Sequence, residues 1–230
     1  MSPPCHSVQV HRLFVAALAP KPVVEALAAA IEPARRAAPQ LRWSTPAWWH
    51  VTLAFLGPVA DEIRPELDAR LARVARRHPP ILVVVTGGGH FDNRILWAGV
   101  RPPTSADQPV LADQPAAAGE PAAADRLDQP RRPRSADDGA LTALAAGVRR
   151  AARRAGATSA DTRPLRAHLT LARARASRRE DLAPLAMTLR ETIGTLPWTI
   201  DRLSLISSVD SSPGHAPTYV EQAAWPLHPR

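Results

Sequence analysis

Apolar and polar positions along the chain alternate in two rhythms, and the switches between them mark the elements. VHRLFVAALA (10–19) has the apolar density of a buried strand. PVVEALAAAIEPARRAA (22–38) follows with helical spacing, and Pro22 suits a first helical turn. WWHVTLAFLG (48–57) predicts a strand that ends at Gly57-Pro58. In ADEIRPELDARLARVARRH (60–78), Ile63, Leu67, Leu71 and Val74 share one helical face, with acids first and arginines last. ILVVVTG (81–87) and RILWAGV (94–100) predict strands on either side of GGHFDN, a turn. Further on, residues 139–157 predict a helix stopped by Gly156, 166–173 (RAHLTLAR) a strand, and 178–194 a helix started or interrupted near Pro184. WTIDRLSLISS (198–208) and APTYVEQAAWPL (216–227) close the chain as strands. The order predicts an α+β fold of two similar halves.

Residues 101–138 break both rhythms. Asp-Gln-Pro occurs there at 107, 113 and 128, among Ala, Pro, Ser and Gly, and the only large apolar residues are Val110, Leu111 and Leu127. Such a stretch cannot repay the entropy of ordering, so the sequence predicts a disordered insertion within one domain spanning 1–230. The chain carries a formal charge of +8, yet this stretch holds five Arg and seven acids, a net of −2. The positive charge therefore belongs to the folded part, where it favours an anionic ligand. Lys21 is the only lysine, so that charge is almost all arginine, which pairs with phosphate bidentately. Inflation of Arg, Ala and Pro by genomic base composition is the competing explanation. No apolar run of about 18 residues is present, which argues against a membrane span. The first residues lack a basic patch followed by an apolar stretch, so no signal peptide is expected. Cys5 is the only cysteine and has no intrachain partner, and a cytoplasmic setting is expected.

One short pattern is written twice, as HVTLAFLG (50–57) and HLTLARAR (168–175). By composition, chance predicts roughly one hundredth of a copy of H-x-T-L-A in such a chain. In an extended strand Trp49, Val51, Leu53 and Phe55 would face one way, and His50, Thr52 and Ala54 the other. In the second copy Leu169 and Leu171 would face the core, and His168, Thr170 and Ala172 away from it. Each copy then presents an imidazole beside a hydroxyl, with a small residue leaving room for a ligand. Two opposed imidazoles suit acid–base attack at phosphorus, because an ordinary imidazole serves as either acid or base near neutral pH. Thr52 and Thr170 would donate to non-bridging oxygens, and Arg173 would add positive charge. A single H-x-T is better read as an ordinary strand histidine, and Arg173 alone fits a solvated surface arginine as well as a phosphate ligand. A zinc site competes, but there is no H-x-H and no cysteine pair, and His90-Phe-Asp92 is weak support. No metal or cofactor is expected. His6, His11, His78, His215 and His228 have no partner pattern and read as surface residues.

These residues resemble the two-histidine phosphoesterase superfamily, in its branch of RNA 2′,3′-cyclic phosphodiesterases, also called the 2′–5′ RNA ligase family. The likeness extends to RLFVAAL, LRWSTPAWWHVTLAFLG, RILWAGV, AHLTLAR and the closing Tyr219-to-Leu227 segment. It implies a bilobal, pseudo-twofold α+β fold, with two antiparallel-rich sheets lining a central positive cleft and helices outside. It implies metal-independent hydrolysis of an RNA or nucleotide 2′,3′-cyclic phosphate to a 2′-phosphomonoester. By motif match, His50 and His168 take the catalytic positions; His50 is assigned as proton donor and His168 as proton acceptor, and the pseudo-symmetry leaves the opposite order open. Thr52, Thr170 and Arg173 then bind substrate. The implied partner is an RNA end with a cyclic phosphate, or a small cyclic nucleotide, met by a monomer away from membranes. Ligation, the same bond made in reverse, and a non-catalytic RNA-binding module are the alternatives. Two departures stand out: Ala167 replaces the family's Pro before the second histidine, and the acidic insertion is unusual.

Overall fold

The computed structural model describes residues 10–107, 136–157, 164–175, 180–209 and 218–228. Its strands are β1 (Val10–Leu18), β2 (Arg42–Trp43), β3 (His50–Ala60), β4 (Ile81–Phe91), β5 (Ile95–Arg101), β6 (His168–Arg173), β7 (Leu196–Ile200), β8 (Arg202–Val209) and β9 (Thr218–Pro226). The helices are α1 (Lys21–Ala37), α2 (Arg64–Ala75), α3 (Ala136–Arg154) and α4 (Ala183–Thr192). Among the described residues the strands form one antiparallel sheet in the order β7-β4-β5-β6-β3-β1-β8-β9, with β2 on the far end of β6.

The two sheets implied by the resemblance are thus two four-stranded halves of one sheet. Their junction is narrow: β3 meets β6 at one registered pair, Val51 opposite Leu169. Both side chains are fully buried. On either side of the junction the halves mirror each other, each with its H-x-T strand innermost. The halves are not consecutive in sequence, however. The middle of the chain supplies β4 to β7, and its two ends supply β1, β3, β8 and β9.

These helices pack on one face of the sheet and build the main core, with Leu27 and Ile31 of α1, Leu67 and Leu71 of α2, Leu144 and Val148 of α3, and Leu189 of α4. α1 and α4 lie behind the β4–β7 half, and α2 and α3 behind the other. The opposite face is open. There a small second cluster forms from Phe14, Ala16 and Ile206, with Leu18, Trp48 and Tyr219 against it.

Several boundaries differ from the sequence reading, four of them in ways that change the fold. The single strand expected over 198–208 is two, β7 and β8, separated at Asp201 and paired at opposite ends of the sheet, with β4 and β1 respectively. Strand β3 continues past Gly57-Pro58 to Ala60. Gly57 takes a left-handed φ of 69°, and Pro58 pairs on its β1 side only, so its missing N–H costs no ladder bond to β6. The turn in GGHFDN becomes Asp92 to Arg94, with Asp92 and Asn93 left-handed at φ 48° and 49° and the Arg94 N–H donating to the Phe91 carbonyl. The insertion also narrows. Residues 101–107 end β5 and form a 3₁₀ turn, in which Arg101 and Thr104 both bind the Asp107 carboxylate, and 136–138 belong to α3. Residues 108–135 lie outside the described residues. Gly156 ends its helix as expected, at φ 102°.

Because one buried pair carries the registered contact between halves, Leu169→Ala should cost about 2–5 kcal/mol. The thermal midpoint should fall by roughly 2–4 °C for each kcal/mol lost. A variant melting within about a degree of the parent would show that the junction does not depend on this pair.

Candidate active site

The junction register decides which side chains meet. Val51 opposite Leu169, continued by one residue in each direction, sets His50 across from Thr170 and Thr52 across from His168. All four are half-buried, on the open face, while Val51 and Leu169 point into the helix side. Their neighbours on that face leave space. Ala16 lies opposite Thr52 on β1, and Gly99 lies opposite His168 on β5.

A β-bulge then interrupts both copies at the same place. On β3, Val15 pairs with Ala54 and Ala16 with Thr52, which leaves Leu53 extra. On β6, Leu96 pairs with Ala172 and Trp97 with Thr170, which leaves Leu171 extra. Each extra leucine sits three residues after its histidine. One inserted residue reverses the facing of everything beyond it. Ala54 and Ala172, expected to line the site, are therefore buried in the core instead. Phe55, expected in the core, is 52% exposed, with its ring 6.1 Å from Phe14. Arg173, at an odd spacing from His168, comes onto the histidine face, exposed at the end of the strand. Phe55 and Arg173 hold equivalent positions in the two halves, one a ring and the other a cation.

The histidines are oriented alike. His50 Nδ1–H donates to the Trp48 carbonyl, and His168 Nδ1–H to the Arg166 carbonyl, both at 2.6 Å. A carbonyl oxygen can only accept, so Nδ1 keeps its proton and Nε2 is left for the cleft. Aromatic rings hold each imidazole. Phe14 lies 5.0 Å from His50, and Tyr219 meets it edge-on at 5.9 Å. Phe91 meets His168 edge-on at 5.1 Å and Trp97 at 6.5 Å. The rings were not legible as site residues: Phe14, Trp48, Trp97 and Tyr219 stood in segments that carry the resemblance, and Phe91 in none, but nothing in the sequence set any of them against a histidine.

Burial lowers the pKa of both histidines, and their carbonyl partners oppose it in part. The charge of Arg173 lowers both as well; His168 adds to the effect on His50, and Arg166 to that on His168. The site is thus a cleft in which His50, His168 and Arg173 lie within electrostatic reach, beside Thr52 and Thr170. Among the described residues no three His, Cys, Asp or Glu side chains come together as a metal-binding group, and no helix is long and apolar enough to cross a membrane. His78 is not a plain surface residue: it is half-buried, and its Nδ1–H donates to the Val74 carbonyl at 2.9 Å. A hollow of about 480 Å³ bordered by Glu32, Arg36, Leu41 and Trp43 lies apart from all of these groups.

The family model of the 2′-5′ RNA ligase superfamily matches residues 23–211. Among solved structures, E. coli LigT in apo form is 22% identical, with 95% of this chain and 98% of that chain covered and a TM-score of 0.61. LigT complexed with 3′-AMP is 20% identical over 95% and 98%, with a TM-score of 0.58. The protein TT0787 of Thermus thermophilus is 22% identical over 94% and 97%, with a TM-score of 0.60. Comparison with curated proteins found no match.

The lowered pKa values carry a stability consequence. As pH falls towards 6.5, the ordinary imidazole value, an unfolded histidine takes up a proton before a folded one does. The unfolded state then binds more protons, so stability falls with pH. The drop in thermal midpoint between neutral and mildly acid pH should be smaller in a His50→Gln/His168→Gln double variant than in the parent. An equal drop in both proteins would contradict the direction of these shifts.

Proposed function

The chain belongs to the 2′-5′ RNA ligase superfamily, a group of phosphoesterases and ligases, and we propose that this member hydrolyses a 2′,3′-cyclic phosphate to a 2′-phosphomonoester. The observation that carries the reading is the matched pair of imidazoles, each with Nδ1 tied to the carbonyl two residues before it and Nε2, among the described residues, left without a hydrogen bond beside a threonine. Neutral, such an Nε2 takes a proton; protonated, it gives one. The nucleotide in the LigT complex with 3′-AMP agrees with a ligand of this class.

The reaction runs as one in-line displacement. His168 Nε2 takes a proton from water as the water oxygen attacks phosphorus. The bond from phosphorus to the 3′-oxygen breaks opposite, and His50 Nε2–H delivers a proton to that oxygen. The 2′-ester bond remains, so the product is a 2′-phosphate. Negative charge builds on the non-bridging oxygens, where the Thr52 and Thr170 hydroxyls donate and the Arg173 guanidinium adds a positive charge. With a 5′-hydroxyl in place of water, the same displacement by the same groups leaves a 2′–5′ diester and a free 3′-hydroxyl, which is ligation.

His50→Ala and His168→Ala should each slow turnover by roughly 10²–10⁴-fold, with a much smaller change in KM. Near-parent activity in either variant would sink the two-histidine reading. Digestion of the product with a phosphatase specific for 3′-phosphates should release nothing, and release of phosphate would reverse the regiochemistry. Joined strands as the main product would favour the ligase, and binding without turnover a binding module.

The pKa directions shape the pH profile as well. The active free enzyme needs one histidine protonated and one neutral, and both pKa values lie below 6.5. The bell of kcat/KM should therefore peak below pH 6.5. Bound phosphate brings a negative charge that favours the protonated acid, so the alkaline limb of kcat should lie at higher pH than that of kcat/KM. An apex above neutrality for kcat/KM would overturn this assignment of protonation states.

A further inference from the structure

The walls of the cleft differ in one respect that hydrolysis of the phosphate does not require. On the β6 side the rings are stacked in series. Trp97 rests directly on Gly89, where any Cβ would run into the indole. The Phe91 ring lies 5.3 Å from the Trp97 ring with 32° between their planes. Over Phe91, in turn, sits the Arg166 guanidinium, 5.5 Å from the ring centroid. Arg166 is exposed, and among the described residues it makes no ion pair. Its own carbonyl holds His168 Nδ1, so the stack is fixed relative to that imidazole. On the β3 side, Phe14, Trp48, Phe55 and Tyr219 form a wall of rings around His50, and no cation–ring contact is found there among the described residues.

A guanidinium laid on an aromatic ring is a planar cation with limited freedom. Single-stranded nucleic acid uses such a plane as a stacking surface for a base, and the charge also favours the polyanionic backbone. A lone cyclic nucleotide has one base, and the ring wall beside His50 can take it. The Arg166 surface, on the other side of the reacting centre, is then left for a second base. We propose that Arg166, seated on Phe91 and Trp97, stacks the nucleobase immediately upstream of the reacting nucleotide, so that the substrate is an RNA chain end rather than a free cyclic mononucleotide. This rests on the phosphodiesterase reading of the same cleft.

The test separates stacking from charge, and binding from turnover. A tetranucleotide ending in a 2′-phosphate cannot be turned over by hydrolysis, so its equilibrium affinity reports the subsite alone. The parent protein should bind it about ten-fold more tightly than the same tetranucleotide with an abasic penultimate position. Arg166→Lys keeps the charge and the backbone carbonyl but lacks the plane, and it should lose that preference. Equal affinity of the parent for both oligonucleotides would overturn the proposal, as would a full preference retained in Arg166→Lys. In hydrolysis, the ratio of kcat/KM for a tetranucleotide with a 2′,3′-cyclic end to that for a cyclic mononucleotide should fall by a similar factor in Arg166→Lys. A parent that prefers the intact oligonucleotide yet hydrolyses neither substrate would support the subsite and refute the phosphodiesterase reading.

Discussion

Everything at the open face follows from the register of one strand junction. Val51 against Leu169 sets both the pairing of the two halves and the parity of the residues beside them. A slip of one residue would send His50 and Thr52 to the helix side and expose the leucines. The apolar core thus prevents such a slip, because Val51, Leu53, Leu169 and Leu171 are all buried. The precision of a polar cluster is in this way enforced by an apolar one.

The paired bulges are the second constraint. They let a strand carry three positions of the proposed site, at 0, +2 and +5 from the histidine, on one face, which an unbroken strand cannot do. They also give the site its polarity. Position +5 is Phe55 in one half and Arg173 in the other, so a nearly symmetric frame holds a ring on one side and a cation on the other. The same inequality recurs in the walls, where, among the described residues, a cation–ring contact is found only beside His168.

Much of the fold was legible in the chain. The α+β class and the H-x-T strands followed from apolar rhythm, because burial of alternate or every-third-or-fourth residues is what those rhythms record. The unread parts were decided by partners far away in sequence. Asp201 divides a continuous apolar run because the flanking strands pair at opposite ends of the sheet, and neither partner is visible locally. The facing of Ala54, Phe55 and Ala172 was misread because a bulge exists only in a pair of strands and leaves no mark on one of them. Arg173 was named as a positive charge close behind Thr170 and again by motif match, although an unbroken strand would turn it away from His168. Arg166 and Phe91 were missed as partners because 75 positions (166 − 91) separate them and only the sheet brings them together.

The interleaved order of the halves bears on how the molecule is made. Strands β4 to β7 are contiguous in the chain, and all have emerged once Ile200 is synthesised. The other half begins first but finishes last, since β1 must wait for β8, and β8 for β9, over a separation of about 200 residues. Closing such distant contacts is slow. During that wait β1 and β3 can pair with each other, but the far edge of β1 remains open, with its backbone groups unmet until β8 arrives. The histidine that is first in sequence therefore sits in the half that is completed second, and a chain truncated before β9 would carry both motifs without Tyr219, the ring that closes the wall around His50 edge-on.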